Sequence, residues 1–171
     1  MRIVGGKFAG RALTSPNDFR VRPTAEPVRA RLLDLLAEEV KGARVLDLFA
    51  GTGALGLEAI SRGAKAVDFV ETRPSSLHAL RANVALLRLT KRVRIFKRDA
   101  LPFAAALTRD SYDIAFVDPP YESRMLDRAI DTWQARGFAR VLAVEHARAH
   151  ELPAGAHRES NEETCITIYR I

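Results

Sequence analysis

Apolar residues in this 171-residue chain fall into short runs separated by amphipathic stretches, and the two alternate almost without interruption. Arg44-Val45-Leu46-Asp47-Leu48-Phe49 reads as a strand, and a glycine-rich turn leads from it into a helix over 54–62. Val67 to Glu71 is the next strand, and Pro74 opens a helix that runs to Leu89. A strand over 93–96 precedes a short helix beginning near Pro102, and a strand over 114–117 ends in Asp118-Pro119-Pro120-Tyr121. A helix over 124–135 leads to a strand over 141–144, and 164–169 alternates as an antiparallel strand does. Ahead of this series, residues 1–13 read as two short strands around Gly5-Gly6 and Gly10, a hairpin. Ser15-Pro16-Asn17-Asp18 is a turn, and Thr24 is placed to cap a helix over 25–39 with Val28, Leu32, Leu35 and Leu36 on one face. Pro27 falls in that helix's first turn, and Lys41-Gly42 ends it.

Strands alternating with helices predict an α/β fold built on a parallel, doubly wound sheet. Ligands of such sheets bind beyond the carboxyl ends of the strands. Chemistry is therefore expected in the turns after Phe49, Glu71, Phe96 and Val117. No internal repeat or linker interrupts the pattern, so residues 23–171 are expected to form one globular unit, with 1–22 as an N-terminal extension.

Charge separates those two parts. The net charge is +6. Residues 1–31 carry seven basic side chains (Arg2, Lys7, Arg11, Arg20, Arg22, Arg29, Arg31) against Asp18 and Glu26, so +5 of it lies in this segment. A basic segment on a nearly neutral body points to a polyanionic partner, or else to a solvated basic face. No apolar run approaches a membrane span, and the opening residues have no signal-peptide pattern, so a cytoplasmic protein is expected. The single cysteine, Cys165, excludes an intramolecular disulfide and a thiolate zinc site. His78, His146, His150 and His157 have no metal-ligand spacing, so no metal is expected.

The turn after the first strand, Asp47-Leu48-Phe49-Ala50-Gly51-Thr52-Gly53-Ala54-Leu55-Gly56, matches a nucleotide-binding glycine spacing. Three acids qualify it. Glu71, at the end of the second strand, is placed to accept both hydroxyl hydrogens of a ribose. Asp99, followed by Ala100 after the third strand, is placed to accept from an adenine amino group. Asp47 would repel a pyrophosphate but favour a cationic sulfonium and amine, which selects S-adenosylmethionine over NAD or FAD. The competing reading makes Asp47 a helix-capping acid and Glu71 the partner of an arginine. The expected cofactor contacts are Asp47, Phe49, Gly51, Thr52, Gly53, Glu71, Asp99 and Ala100.

Asp118-Pro119-Pro120-Tyr121 is the candidate catalytic turn. An aromatic amino nitrogen is a weak nucleophile because its lone pair is delocalised. Asp118 can accept one of its hydrogens, and a carbonyl held by the prolines, that of Pro119, can accept the other. The nitrogen is thereby drawn toward tetrahedral geometry and aimed at a methyl donor. Tyr121 offers a face for stacking a base turned out of its helix. This chemistry does not separate N6 of adenine from N2 of guanine, or DNA from RNA.

A resemblance does separate them. Met1-Arg2-Ile3-Val4-Gly5-Gly6-Lys7, Gly10-Arg11-x-Leu13 and Arg22-Pro23-Thr24 with Val28-Arg29 resemble the RsmD family of bacterial 16S ribosomal RNA guanine-N2 methyltransferases. So do the stretch from Asp47 to Ala59 with Ser61-Arg62-Gly63-Ala64, and Phe116 to Tyr121. The resemblance implies a class I methyltransferase (Rossmann-like) fold with a seven-stranded, mostly parallel sheet and an antiparallel C-terminal strand. It implies S-adenosylmethionine as donor, S-adenosylhomocysteine as product, and 16S rRNA in an assembled or assembling small ribosomal subunit as substrate, met by a monomer. It also implies that the basic hairpin docks RNA, with Arg2, Lys7, Arg11, Arg20 and Arg22 as contacts. Ala30 and Leu33-Asp34 depart from the family's usual Glu and Phe-Asn at these positions.

The nearest rival is an adenine-N6 methyltransferase, against which stands the lack of a domain to read DNA base edges. A non-catalytic binding protein would not need both turns, and an oxidoreductase would not place Asp47 in the first. Trp133 and Cys165 are expected in the core, and Glu145 either lines the base pocket or is exposed.

Overall fold

The computed structural model describes residues 1–16, 24–120, 124–161 and 163–171. Helices α1 (Glu26–Leu35) and α2 (Ala37–Val40) lead to strand β1 (Arg44–Asp47), followed by α3 (Ala54–Ser61) and β2 (Ala66–Glu71). Next come α4 (Pro74–Leu86), β3 (Val93–Lys97), α5 (Ala100–Ala105), β4 (Tyr112–Val117) and α6 (Met125–Arg136). Strands β5 (Ala139–Ala147), β6 (His157–Ser160) and β7 (Thr164–Arg170) complete the chain. The sheet has seven strands in the order β3-β2-β1-β4-β5-β7-β6. β7 pairs antiparallel with both β5 and β6, and the remaining pairings are parallel. This is the class I methyltransferase fold.

The period of two along each strand divides the core between two helical layers. Ile114 and Phe116 of β4 pack with Leu32 of α1, Leu57 of α3 and Leu80 of α4. Ala115 and Val117 pack on the other side with Ala104 of α5 and with Leu126, Ile130 and Trp133 of α6. The i, i+4, i+7 spacing of those α6 residues is one helical stripe. Gly137, in left-handed conformation, ends α6 by donating its N–H to the Trp133 carbonyl at 2.7 Å. Trp133 and Cys165 are both core residues.

The structure departs from the sequence pattern in several places. The helix predicted over 25–39 is divided at Leu36 (φ −105, ψ 16). Its N-cap is Ala25 rather than Thr24, whose hydroxyl bonds elsewhere. The hairpin over residues 1–13 has one antiparallel bridge, Arg2 to Ala12, closed around a single 3-10 turn (Gly6–Phe8), in place of two strands. The reason is competition for donors. The N–H groups of Val4 and Gly5 go to the Glu58 carboxylate at 2.9 and 2.7 Å, and that of Phe8 goes to Ser61 Oγ at 2.9 Å, all on α3. Finally, β6 has no apolar run to betray it, because it is an edge strand with alternating partial exposure.

The same carboxylate of Glu58 holds Arg29, and both side chains are fully buried. Arg29 also donates to the carbonyls of Thr24 and Arg2. A buried ion pair is weak evidence of net stability, but a fully bonded one fixes geometry. Here it clamps the N-terminal segment onto the helix that follows the glycine turn. Ile3 and Leu13 are buried in the same core as α1 and α3.

Candidate active site

The three glycines of the first turn have different tasks. A Cβ on Gly53 would lie 2.3 Å from Leu80 Cδ1, and one on Gly56 would lie 2.4 Å from Phe69 Cε1, so both allow α3 to pack closely. Gly51 has φ +54 and open space where its Cβ would be. It lines a cleft of about 1030 Å³ beyond the carboxyl ends of the strands.

Glu71 stands beside it. One carboxylate oxygen accepts the Gly51 N–H at 2.8 Å, and the other accepts the N–H groups of Thr72 and Arg73 at 2.7 and 2.8 Å. Three backbone donors thus set the carboxylate's position on the cleft wall. Asp99 precedes α5 but makes no side-chain capping bond to it, and its exposed side chain lines the cleft with Ala100. Leu48, Phe49, Val70 and Leu101 provide apolar surface between these acids. Ser76, which the sequence reading missed, lines the same wall, and its buried Oγ has no hydrogen-bond partner among the described residues. Such acceptors, hydroxyl and apolar walls suit an adenosine group.

Asp47, Thr52 and Gly53 lie behind the turn, outside the cleft lining. Asp47 is 3% exposed and accepts the Gly56 N–H at 3.1 Å, so it holds the first turn of α3. Burial pushes its carboxyl up to about 7; the Gly56 bond opposes the shift and the Glu71 charge adds to it. Thr52 is tied through its carbonyl to Asn83 Nδ2 at 3.0 Å, and Asn83 also bonds both the N–H and the carbonyl of Thr14. The glycine turn and the N-terminal segment therefore share one buried amide.

Asp118 leaves β4 at the other end of the cleft, followed by buried Pro119 and exposed Pro120. Its Oδ2 accepts a hydrogen bond from the Thr24 hydroxyl. That bond joins residues 94 apart in the chain, and no local pattern could have revealed it. Thr24 lies on the cleft wall with Pro27 and Val28 of α1, and Glu145 of β5 lines the wall beyond Asp118. Glu145 is 5% exposed, which decides against an exposed side chain there. Tyr121 lies outside the described residues.

Of the expected RNA contacts, Arg2, Lys7 and Arg11 are exposed on the N-terminal loop, and Arg2 pairs with Glu26 at 3.4 Å. Arg20 and Arg22 lie outside the described residues. Arg29 and Arg31, counted in the basic segment, are committed to Glu58 and Glu159.

The chain is similar to known proteins over nearly its whole length. Residues 1–167 match the family model described as conserved hypothetical protein 95. The chain is 36% identical over 167 residues to ribosomal RNA small subunit methyltransferase D of Escherichia coli (strain K12), covering 93% of this chain and 83% of that one. It is 34% identical over 181 residues to YlbH of Bacillus subtilis (strain 168), a candidate rRNA methyltransferase, covering 99% and 98%. The solved structure of a candidate methyltransferase of Escherichia coli, yhhF, superposes with a TM-score of 0.85 at 31% identity, covering 99% and 97%.

Proposed function

The chain belongs to the RsmD family of rRNA methyltransferases, and from that premise we propose that it methylates the exocyclic N2 of one guanine in 16S rRNA within the small ribosomal subunit. The observation that carries this reading is a shared cleft that holds Glu71 and Asp99 at one end and the Thr24-bound Asp118 at the other. S-adenosylmethionine, when bound, supplies an electrophilic methyl group and is released as S-adenosylhomocysteine. Glu71 takes the ribose hydroxyls, Asp99 the adenine amino group, and Phe49, Gly51 and Ala100 the adenosine faces. Asp47, Thr52 and Gly53 act from behind by shaping the turn, and Asp47 places a buried carboxylate near a cationic donor.

At the other end, Asp118 accepts one N2–H of the guanine and the Pro119 carbonyl accepts the second. Thr24 donates to Asp118 Oδ2 and so orients the carboxylate toward the base. The two acceptors turn the nitrogen lone pair toward the methyl group. The methylated nitrogen is acidic enough to lose its proton to water, so no strong base is required. Pro120 keeps the turn rigid, and Tyr121 stacks on the base. Residues 1–22 form the docking extension of the 23–171 domain, and Arg2, Lys7, Arg11, Arg20 and Arg22 meet phosphates. The enzyme acts as a monomer in the cytoplasm, on the assembled or assembling subunit.

The test is to incubate the protein and labelled S-adenosylmethionine with small subunits from a methylation-deficient strain, with bare 16S RNA and with duplex DNA. Mass spectrometry then identifies and maps the modified nucleoside. N2-methylguanosine in the subunit RNA is expected; N6-methyladenosine, or label only in DNA, overturns the reading.

A further inference from the structure

The sheet register sets two carboxylates side by side. β4 and β5 are parallel, and Val117 pairs with Val144. The residues that follow them are Asp118, the first beyond β4, and Glu145, still within β5, on neighbouring stretches of chain about 4.8 Å apart. Two residues earlier, Phe116 and Ala143 face the same core layer. The strand period of two therefore carries Glu145 out on that same face, and Asp118 is drawn to it by Thr24, just ahead of α1, whose Val28 and Leu32 belong to that layer. Both line the cleft, and Glu145 does so while 5% exposed. It also stands opposite Ile166 of β7. It is thus held within β5, paired to β7 on one side and facing the Asp118 turn on the other, rather than on a loop.

We infer that Glu145 is the residue that selects guanine, by accepting the N1–H next to the amino group held by Asp118. This inference rests on the proposed reaction at that site. The chemistry is one of donor pattern. We take both side chains in the ionised form, in which a carboxylate accepts hydrogen bonds and donates none. On guanine, the amino N2 is neighboured by a second donor, N1–H, so a pair of adjacent carboxylates meets a pair of adjacent donors. On adenine, the amino N6 is neighboured by N1, a lone pair. Glu145 would then face that lone pair with an oxygen of its own, in a place withdrawn from water, where a mismatched polar contact is costly. Asp118 alone reads an amino group; Asp118 with Glu145 reads the guanine edge.

2-Aminopurine provides the test, because it keeps the 2-amino group but carries a lone pair at N1. Small subunits are assembled with either guanine or 2-aminopurine at the methylated position, and kcat/KM is measured for wild type and Glu145→Gln. The wild type should prefer guanine by roughly 10- to 100-fold, the range expected for one hydrogen bond to a charged group. In E145Q the amide can donate to N1, so the preference should fall to a few-fold or invert. Affinity for S-adenosylhomocysteine, measured by calorimetry, should not change. An equal loss on both substrates would assign Glu145 a merely structural role and overturn the inference. So would a wild-type preference below about threefold, whatever the variant does. Failure of the underlying reaction is distinguishable, since the wild type would then form no N2-methylguanosine in the natural subunit.

Discussion

Asp47→Asn isolates a buried charge at the heart of the cofactor turn. The Asp47 carboxyl titrates at about 7 in the folded protein, against an ordinary 3.8, with burial as the largest cause. The folded state therefore holds this proton more tightly than the unfolded chain does. Stability from this group is complete at low pH and is lost as pH rises from about 4 to about 7. Between about pH 5 and pH 8 the loss covers about two pH units, or roughly 3 kcal/mol at 1.36 kcal/mol per unit. The D47N amide would have no such titration, while its side-chain oxygen could still accept the Gly56 N–H that Asp47 now accepts at 3.1 Å. Urea unfolding of the ligand-free proteins at several pH values should show wild type losing roughly 3 kcal/mol more than D47N over this range. In melting temperature this is roughly 6–12 °C for a chain of this size. The two proteins should be nearly equal only below about pH 4, where Asp47 is protonated in the folded and the unfolded state alike. Parallel stability profiles would refute the argument, because they would mean that Asp47 is solvated or otherwise compensated. S-adenosylmethionine should narrow the difference at pH 8, since a cation near the turn offsets the cost of the buried carboxylate.

Asp118→Ala should lower kcat by at least about 100-fold while leaving S-adenosylhomocysteine affinity within about twofold by calorimetry; a large loss of affinity would contradict the division of the cleft. Thr24→Val, close in shape but without a hydroxyl, should cost roughly tenfold in kcat, with Thr24→Ser restoring most of it, as single-turnover rates would show. If T24V turned over like wild type, the bond to Asp118 would not orient the carboxylate. Neutralising Arg2, Lys7 and Arg11 together should weaken binding to small subunits and reduce the slope of log K against log salt by roughly 2, less than three full phosphate contacts because Arg2 already pairs with Glu26. An unchanged slope would exclude this loop from phosphate contact.

The βα alternation, the glycine turn and the acids at strand ends were all legible in the chain, because periods of two and 3.6 residues and a φ-positive turn are local properties. The sequence by itself thus determined the fold class, the end of the sheet at which chemistry occurs, and the turns that carry it. It did not determine what each residue there would touch. Arg29 counts as a cation in composition but is spent on Glu58, inside the protein. Gly53 and Gly56 match a ligand-binding spacing but serve helix packing, and Asp47 faces Gly56 rather than the cleft. Thr24 looks like a helix cap until the sheet brings Asp118 to it from 94 residues away. That Asp118 and Glu145 each follow one of a pair of facing residues depends on β5 lying beside β4 in register. Such contacts depend on strand order and register, which bring together side chains from separate stretches of chain, and local periodicity carries no record of which strand end becomes the neighbour of which.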